Sequence, residues 1–111
     1  MSSDRPTVYR RCAPVVDARY EPGGARTPVE AIVEALSEAT GTDPTAISPL
    51  SNVVDTDALD RLLSRTGGGA ATVCEIEFGS WTVFVRGDGR IRVCDADEPT
   101  DPAPAFDPPA V

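Results

Sequence analysis

The sequence predicts an α+β fold: a short N-terminal strand, two helices, and a three-stranded antiparallel meander whose one face the helices cover. Two observations carry this prediction. Residues 73–94 alternate between apolar and polar side chains across two turn signals, as half-buried strands do. Residues 27–63 contain two segments whose apolar side chains recur at helical spacing. A second strand signal, residues 14–20, precedes the helices and is expected to pair at an edge of the meander.

The first turn of the meander is Gly79-Ser80, which suits a two-residue type II′ turn with glycine first. This turn pairs Phe78 with Trp81, and period-two alternation then puts a set of apolar side chains on one face. That predicted core face consists of Cys74, Ile76, Phe78, Trp81, Val83, Val85, Ile91 and Val93.

The second turn, Gly87-Asp88-Gly89, allows two registers. A two-residue loop would pair Val85 with Arg92 and place a charge on the apolar face. A three-residue loop pairs Val85 with Ile91 and needs a left-handed residue at its end, which Gly89 supplies. The sequence therefore predicts the three-residue loop.

The opposite face of the meander is the candidate interaction surface, because it combines one aromatic residue with basic and acidic side chains. The candidates are Phe84, Arg86, Arg90, Arg92 and Glu75. Aromatic and arginine side chains are favoured in protein contacts, and the same pair can stack a base and contact phosphates. A third interpretation is an ordinary solvated sheet face on which Phe84 is exposed.

Helix boundaries are marked by capping residues. Thr27-Pro28 with Glu30 forms a capping box, and Gly41 ends the first helix. Asp55 or Thr56 begins the second helix. The apolar stripes are Val29, Ile32, Val33 and Leu36 in the first helix and Leu59, Leu62 and Leu63 in the second.

The charge composition is acidic and free of lysine. The formal net charge is -8, and all 10 basic residues are arginine. Hydrated carboxylates without lysine suit a protein that stays soluble in concentrated salt. In molar salt the Debye length falls to about 3 Å, so the net charge says little about partners.

The sequence offers no pattern typical of catalysis, metal binding or membranes. It has no histidine and no CxxC among its 3 cysteines, so we expect no catalytic residues, no metal site and no cofactor. We predict a non-enzymatic protein of the reducing cytoplasm. No apolar run approaches the ~20 residues of a membrane span.

Composition also divides the chain. We predict a flexible N-terminal segment at 1–13, the folded domain at 14–94, and an acidic, proline-rich disordered tail at 95–111. Phe106 is interpreted as an ordinary tail residue, with a short linear contact as the alternative. On this view, removing the tail leaves the fold intact.

The order of helix, connection, helix and meander resembles the haloarchaeal output domain family, type one. The resemblance covers roughly residues 15–93 and departs from the family pattern at Ile47 and Ser51, neither of which threatens the fold. It rests on Val33, Ala35, Ala39, Gly41, Asp43-Pro44, Pro49-Leu50, Asp55, Asp57-Ala58-Leu59 and Gly87-Asp88-Gly89.

The resemblance implies an output or interaction module of signalling proteins and brings no catalytic residue or cofactor with it. A protein partner is the first expectation. Nucleic-acid binding through Phe84 and the three arginines of the same face is the alternative.

Overall fold

The chain folds into one antiparallel sheet with helices on one side, as described by a computed structural model for residues 8–47, 49–64 and 69–106. The strands and helices follow in the order predicted. They are β1 (Tyr9–Arg19), α1 (Pro28–Thr40), α2 (Thr56–Ser64), β2 (Gly69–Phe78), β3 (Trp81–Gly87) and β4 (Arg90–Pro104). Two single 3₁₀ turns, Pro44–Ala46 and Leu50–Asn52, connect the helices.

The four strands lie in the order β1-β4-β3-β2, and all three pairings are antiparallel. The register of the meander is the predicted one: Phe78 pairs with Trp81, and Val85 pairs with Ile91. Both turns depend on glycine, since Gly79 has φ 59° and Gly89 has φ 109°. The three-residue loop is therefore confirmed.

Gly89 also fixes the end of β1 against the second turn. The Tyr20 N–H donates to the Gly89 carbonyl at 2.8 Å. A Cβ atom on Gly89 would lie 2.1 Å from the Tyr20 carbonyl oxygen, so only glycine fits this close approach.

The helix boundaries follow the capping residues. In α1 the Glu30 N–H donates to the Thr27 hydroxyl, and the Glu30 carboxylate accepts from the Thr27 N–H. Gly41 ends this helix with φ 71°. Asp55 begins α2 by accepting from the Ala58 N–H.

The inner face of the sheet packs against both helices and forms the main core. The predicted core face is confirmed, because its residues are either buried in this core or packed against it. The helices contribute Ala31, Ile32, Ala35, Leu36, Leu59 and Leu63, and the sheet contributes Val16, Ile76, Val83, Val85, Ile91 and Val93.

Two predicted segments are wrong over most of their described length. Strand β1 begins at Tyr9, inside the segment 1–13 that was predicted to be flexible. It continues β4 to Pro104, inside the segment 95–111 that was predicted to be a disordered tail. Pairing with β1 orders this acidic, proline-rich stretch. Residues 1–7 and 107–111 lie outside the described residues.

Candidate interaction site

One row of side chains crosses the outer face of all four strands. Glu75 pairs with Phe84, Phe84 with Arg92, and Arg92 with Asp17. The register places two of the candidate residues, Glu75 and Arg92, on either side of Phe84 and adds Asp17 from β1. The sheet thus brings an aromatic ring and a guanidinium group side by side, with a carboxylate at each end of the row.

The expectation that Phe84 is exposed is wrong. Its side chain is 1% exposed, and it lies in a second buried cluster, separate from the main core. The partners in that cluster are Cys12, Cys94, Ala105 and Phe106. Phe106 is 8% exposed, so it packs as a core residue.

The covering residues come from the far ends of β1 and β4. Ala13 pairs with Asp95, but the next pair is Cys12 with Pro99, so β4 holds three more residues than β1 at this point. Such an irregularity bends a strand pair.

We call the strand ends beyond this point, Tyr9–Cys12 and Pro99–Pro104, together with Ala105 and Phe106, the arm. The Ala105 N–H donates to the Val8 carbonyl at 2.8 Å and holds the two sides of the arm together. The arm places Ala105 and Phe106 on the outer face of β3 and β4.

Three guanidinium groups converge on the ring of Phe106. The Cζ atoms of Arg86, Arg90 and Arg92 lie 5.2, 5.7 and 6.0 Å from the ring centroid. Each distance is within the range of a cation–π contact. Arg86 and Arg90 are half-buried. Three of the five predicted interaction residues therefore bind one ring, with Phe84 in the same buried cluster.

Arg92 is the most buried of these cations, at 6% exposed. Its Nε donates to the Asp17 carboxylate at 2.7 Å, and its Nη1 donates to the Ala105 carbonyl at 3.2 Å. A buried cation needs such partners, because burial without them is strongly unfavourable. Arg92 thereby recognises the main chain of the arm as well as the ring.

Arg86 is oriented by the turn between β3 and β4. Its Nε and Nη2 donate to the two carboxylate oxygens of Asp88, each at 2.8 Å. These bonds hold the pKa of Asp88 below its usual value. This bidentate ion pair fixes the plane of the Arg86 guanidinium beside Phe106.

Two cysteines fill the space beside Phe84. Burial, together with a hydrogen bond to the neighbouring Cys12 thiol, raises the pKa of Cys94 to about 12. Both cysteines are free. Because both are buried, they pack as small apolar side chains.

Beside the arm, the outer face retains an open cavity of about 280 Å³. Glu75 is exposed and lies at its wall, apart from the ring that the arginines surround. The cavity is lined by Tyr9, Arg11, Cys12, Glu75, Thr82, Phe84 and Ala96.

Sequence reasoning missed the arm and Phe106. Its acidic, proline-rich composition is typical of disorder, and strand pairing between residues 9 and 104 is not visible in any local pattern. One signal was present: Phe84 is an aromatic residue on a polar face, and Phe106 is the one aromatic residue of the predicted tail.

A family model with the description Halobacterial output domain 1 matches residues 24–95. The chain belongs to this family. The match ends at residue 95, before the arm, so β1 and the arm both lie outside the part of this output domain that the family model covers. No curated protein and no solved structure gives a match. Among the described residues, no helix of the output domain is long and apolar enough to cross a membrane.

Proposed function

We propose that this output domain is a non-enzymatic interaction module of cytoplasmic signal transduction or regulation, adapted to high salt, and that it acts by binding a partner protein on its outer sheet face. The observation that carries the proposal is the ring of Phe106 among the guanidinium groups of Arg86, Arg90 and Arg92. This face already binds an extended polypeptide, which the chain itself provides.

The chemistry of the site favours a polypeptide. It contacts an aromatic side chain and a main-chain carbonyl, as a peptide presents them. A buried aromatic side chain with arginine side chains around it is typical of the hot spots of protein interfaces. The family description, an output domain, agrees with this role.

The contacts suit concentrated salt. Screening at molar ionic strength, with a Debye length of about 3 Å, suppresses long-range attraction but leaves groups in direct contact. The Arg92 Nη1 to Ala105 carbonyl bond and the packing of Phe106 are contacts of this kind. The acidic, lysine-free composition is consistent with the same environment.

Nucleic-acid binding is the alternative, and the convergence of three arginines is the observation that favours it. Two features weigh against it. Phe84, the expected stacking platform, is buried, and Glu75 and Asp17 place carboxylates at both ends of its row. Carboxylates repel phosphates at close range.

Affinity capture from an extract of the source cells in molar KCl tests the proposal. The intact chain is the bait, with Phe106→Ala as a second bait that has an uncovered outer face. We expect a stoichiometric protein that survives nuclease treatment and is recovered in larger amount by Phe106→Ala. Recovery that nuclease abolishes would instead establish the nucleic-acid alternative.

A further inference from the structure

We propose that the arm is a built-in ligand that closes the outer face, and that the site beneath Phe106 receives, in its place, an acidic extended segment of a partner protein that carries an aromatic side chain. This inference rests on the proposed function and names the partner chemistry and the regulation of the same site. The arm then acts as an autoinhibitory segment.

The arm has few buried contacts with the rest of the fold. It lies outside residues 24–95, over which the family model matches. Most of it is exposed: in the stretch 96–104 no residue is buried. Its buried contacts with the outer face are made by Cys12, Ala105 and Phe106. Regions with few buried apolar contacts open before the rest of a fold.

The site has the features of a recognition site for one aromatic residue in extended chain. Arg92 donates to the carbonyl of the residue that precedes the ring. Arg86, Arg90 and Arg92 surround the ring itself. A segment with a non-aromatic side chain in place of Phe106 would lose the cation–π contacts and leave Phe84 partly uncovered.

Charge complementarity indicates that the incoming segment is acidic. The arm and the bend that leads to it are rich in carboxylates and contain no basic residue on the β4 side, and a further carboxylate follows Phe106. These acids are Asp95, Asp97, Glu98, Asp101 and Asp107. The face beneath Phe106 presents three arginines, Arg86, Arg90 and Arg92. Like signs would disfavour a basic segment at this face.

The tether explains why a partner must compete. A ligand joined to its site by a short linker acts at an effective concentration of about 1 mM. A free segment of equal affinity therefore binds the intact chain poorly. Removing the Phe106 ring from the arm removes this competition without touching the site.

The test uses the full chain and synthetic peptides that correspond to residues 99–111. The proteins are the wild type, Phe106→Ala, and a chain that ends at Pro104, which opens the site by a second route. Binding is followed by NMR at the Nε–H signals of Arg86, Arg90 and Arg92. Trp81 fluorescence, on the inner face, reports that each protein is folded.

We expect the peptide to bind both opened proteins about tenfold or more tightly than the wild type and to shift the arginine signals. A peptide with Phe106→Ala should bind about tenfold more weakly. A peptide with Asp101→Asn and Asp107→Asn should also bind more weakly, and the difference should shrink as KCl is added.

Equal binding to wild type and opened proteins, or no binding to folded opened proteins at millimolar peptide, would overturn the inference. Preference of the opened proteins for a single-stranded oligonucleotide over the peptide would overturn it as well, as would a wild-type dimer with exchanged arms. If the peptide fails but capture still yields a nuclease-resistant protein, the inference falls and the proposed function stands.

Discussion

The two faces of this sheet are both buried, but by different means. The inner face is covered by α1 and α2, which lie within the family-matched part of the chain. The outer face is covered by the arm, which lies outside it. The same strands supply both faces, since alternate residues point in opposite directions.

Burial alone therefore does not distinguish a permanent core from an occupied binding site. Val83 on the inner face and Phe84 on the outer face are neighbours in sequence, and both are almost fully buried. Val83 packs in a large cluster to which both helices contribute. The burial of Phe84 instead depends on a small cluster that the arm completes. Few contacts make the outer closure the weaker one.

A truncation on the inner face should destabilise the protein most. Leu63→Ala deletes a side chain that is 0% exposed and should lower the free energy of unfolding by about 3–4 kcal/mol, from lost transfer energy and the cavity left behind. Denaturant unfolding measures it. The matched control is the adjacent Leu62→Ala, which is 44% exposed and should cost less than about 1 kcal/mol. Equal costs would mean that α2 packs by another face.

On the outer face, Phe106→Ala should cost about 2 kcal/mol, less than a fully buried core aromatic. The cost has a ceiling, because once the arm opens, further loss of arm contacts no longer matters. The chain that ends at Pro104, which lacks Phe106 altogether, should therefore lose no more free energy of unfolding than Phe106→Ala does. Denaturant unfolding with Trp81 fluorescence measures both. A clearly larger loss in the shortened chain than in Phe106→Ala would show that the arm is an integral part of the core.

Alkaline pH should loosen the two faces through different groups. Burial, with smaller contributions from Cys74 and Asp88, raises the pKa of Tyr20 to about 12. Its unfolded pKa is about 10, so its stabilising contribution is complete below pH ~10 and is lost as the pH rises through ~12. Its hydroxyl donates to the Leu63 and Arg86 carbonyls.

Tyr20→Phe should thus cost about 1 kcal/mol at neutral pH, and this cost should shrink as the pH rises from about 10 to about 12. Unfolding curves across that range measure it. Tyr9→Phe is the control, because Tyr9 is 51% exposed. Removing its hydroxyl should change neither the free energy of unfolding at neutral pH nor its dependence on pH.

For the outer face, Cys94→Ala should reduce the loss of stability that occurs from pH ~9 upward, since burial raises the pKa of that thiol to about 12.

The inner face was predictable from sequence because its determinants are local. Gly79 and Gly89 fix the two turns, and the turns fix the register. Thr27 and Asp55 start the helices. The family resemblance, drawn from the same residues, is also correct.

The outer face was only half predictable, because its closure is non-local. Alternation placed Phe84, Arg86 and Arg92 on one face, but their burial depends on Phe106, which comes from a segment whose composition favours disorder. Pairing of residue 9 with residue 104 joins the chain ends. No periodicity within either end encodes that contact.

The most direct test of a removable arm is native-state hydrogen exchange on the wild-type chain. The Ala105 N–H, which bonds to Val8 across the arm, reports opening of the outer face, and the amides of β3 report opening of the sheet. We predict that the Ala105 amide exchanges at least about 100-fold faster than the amides of β3, because the arm opens locally while the inner face stays intact. Exchange of both at one rate, with the same response to denaturant, would show that the arm opens only with the whole fold and would contradict the account.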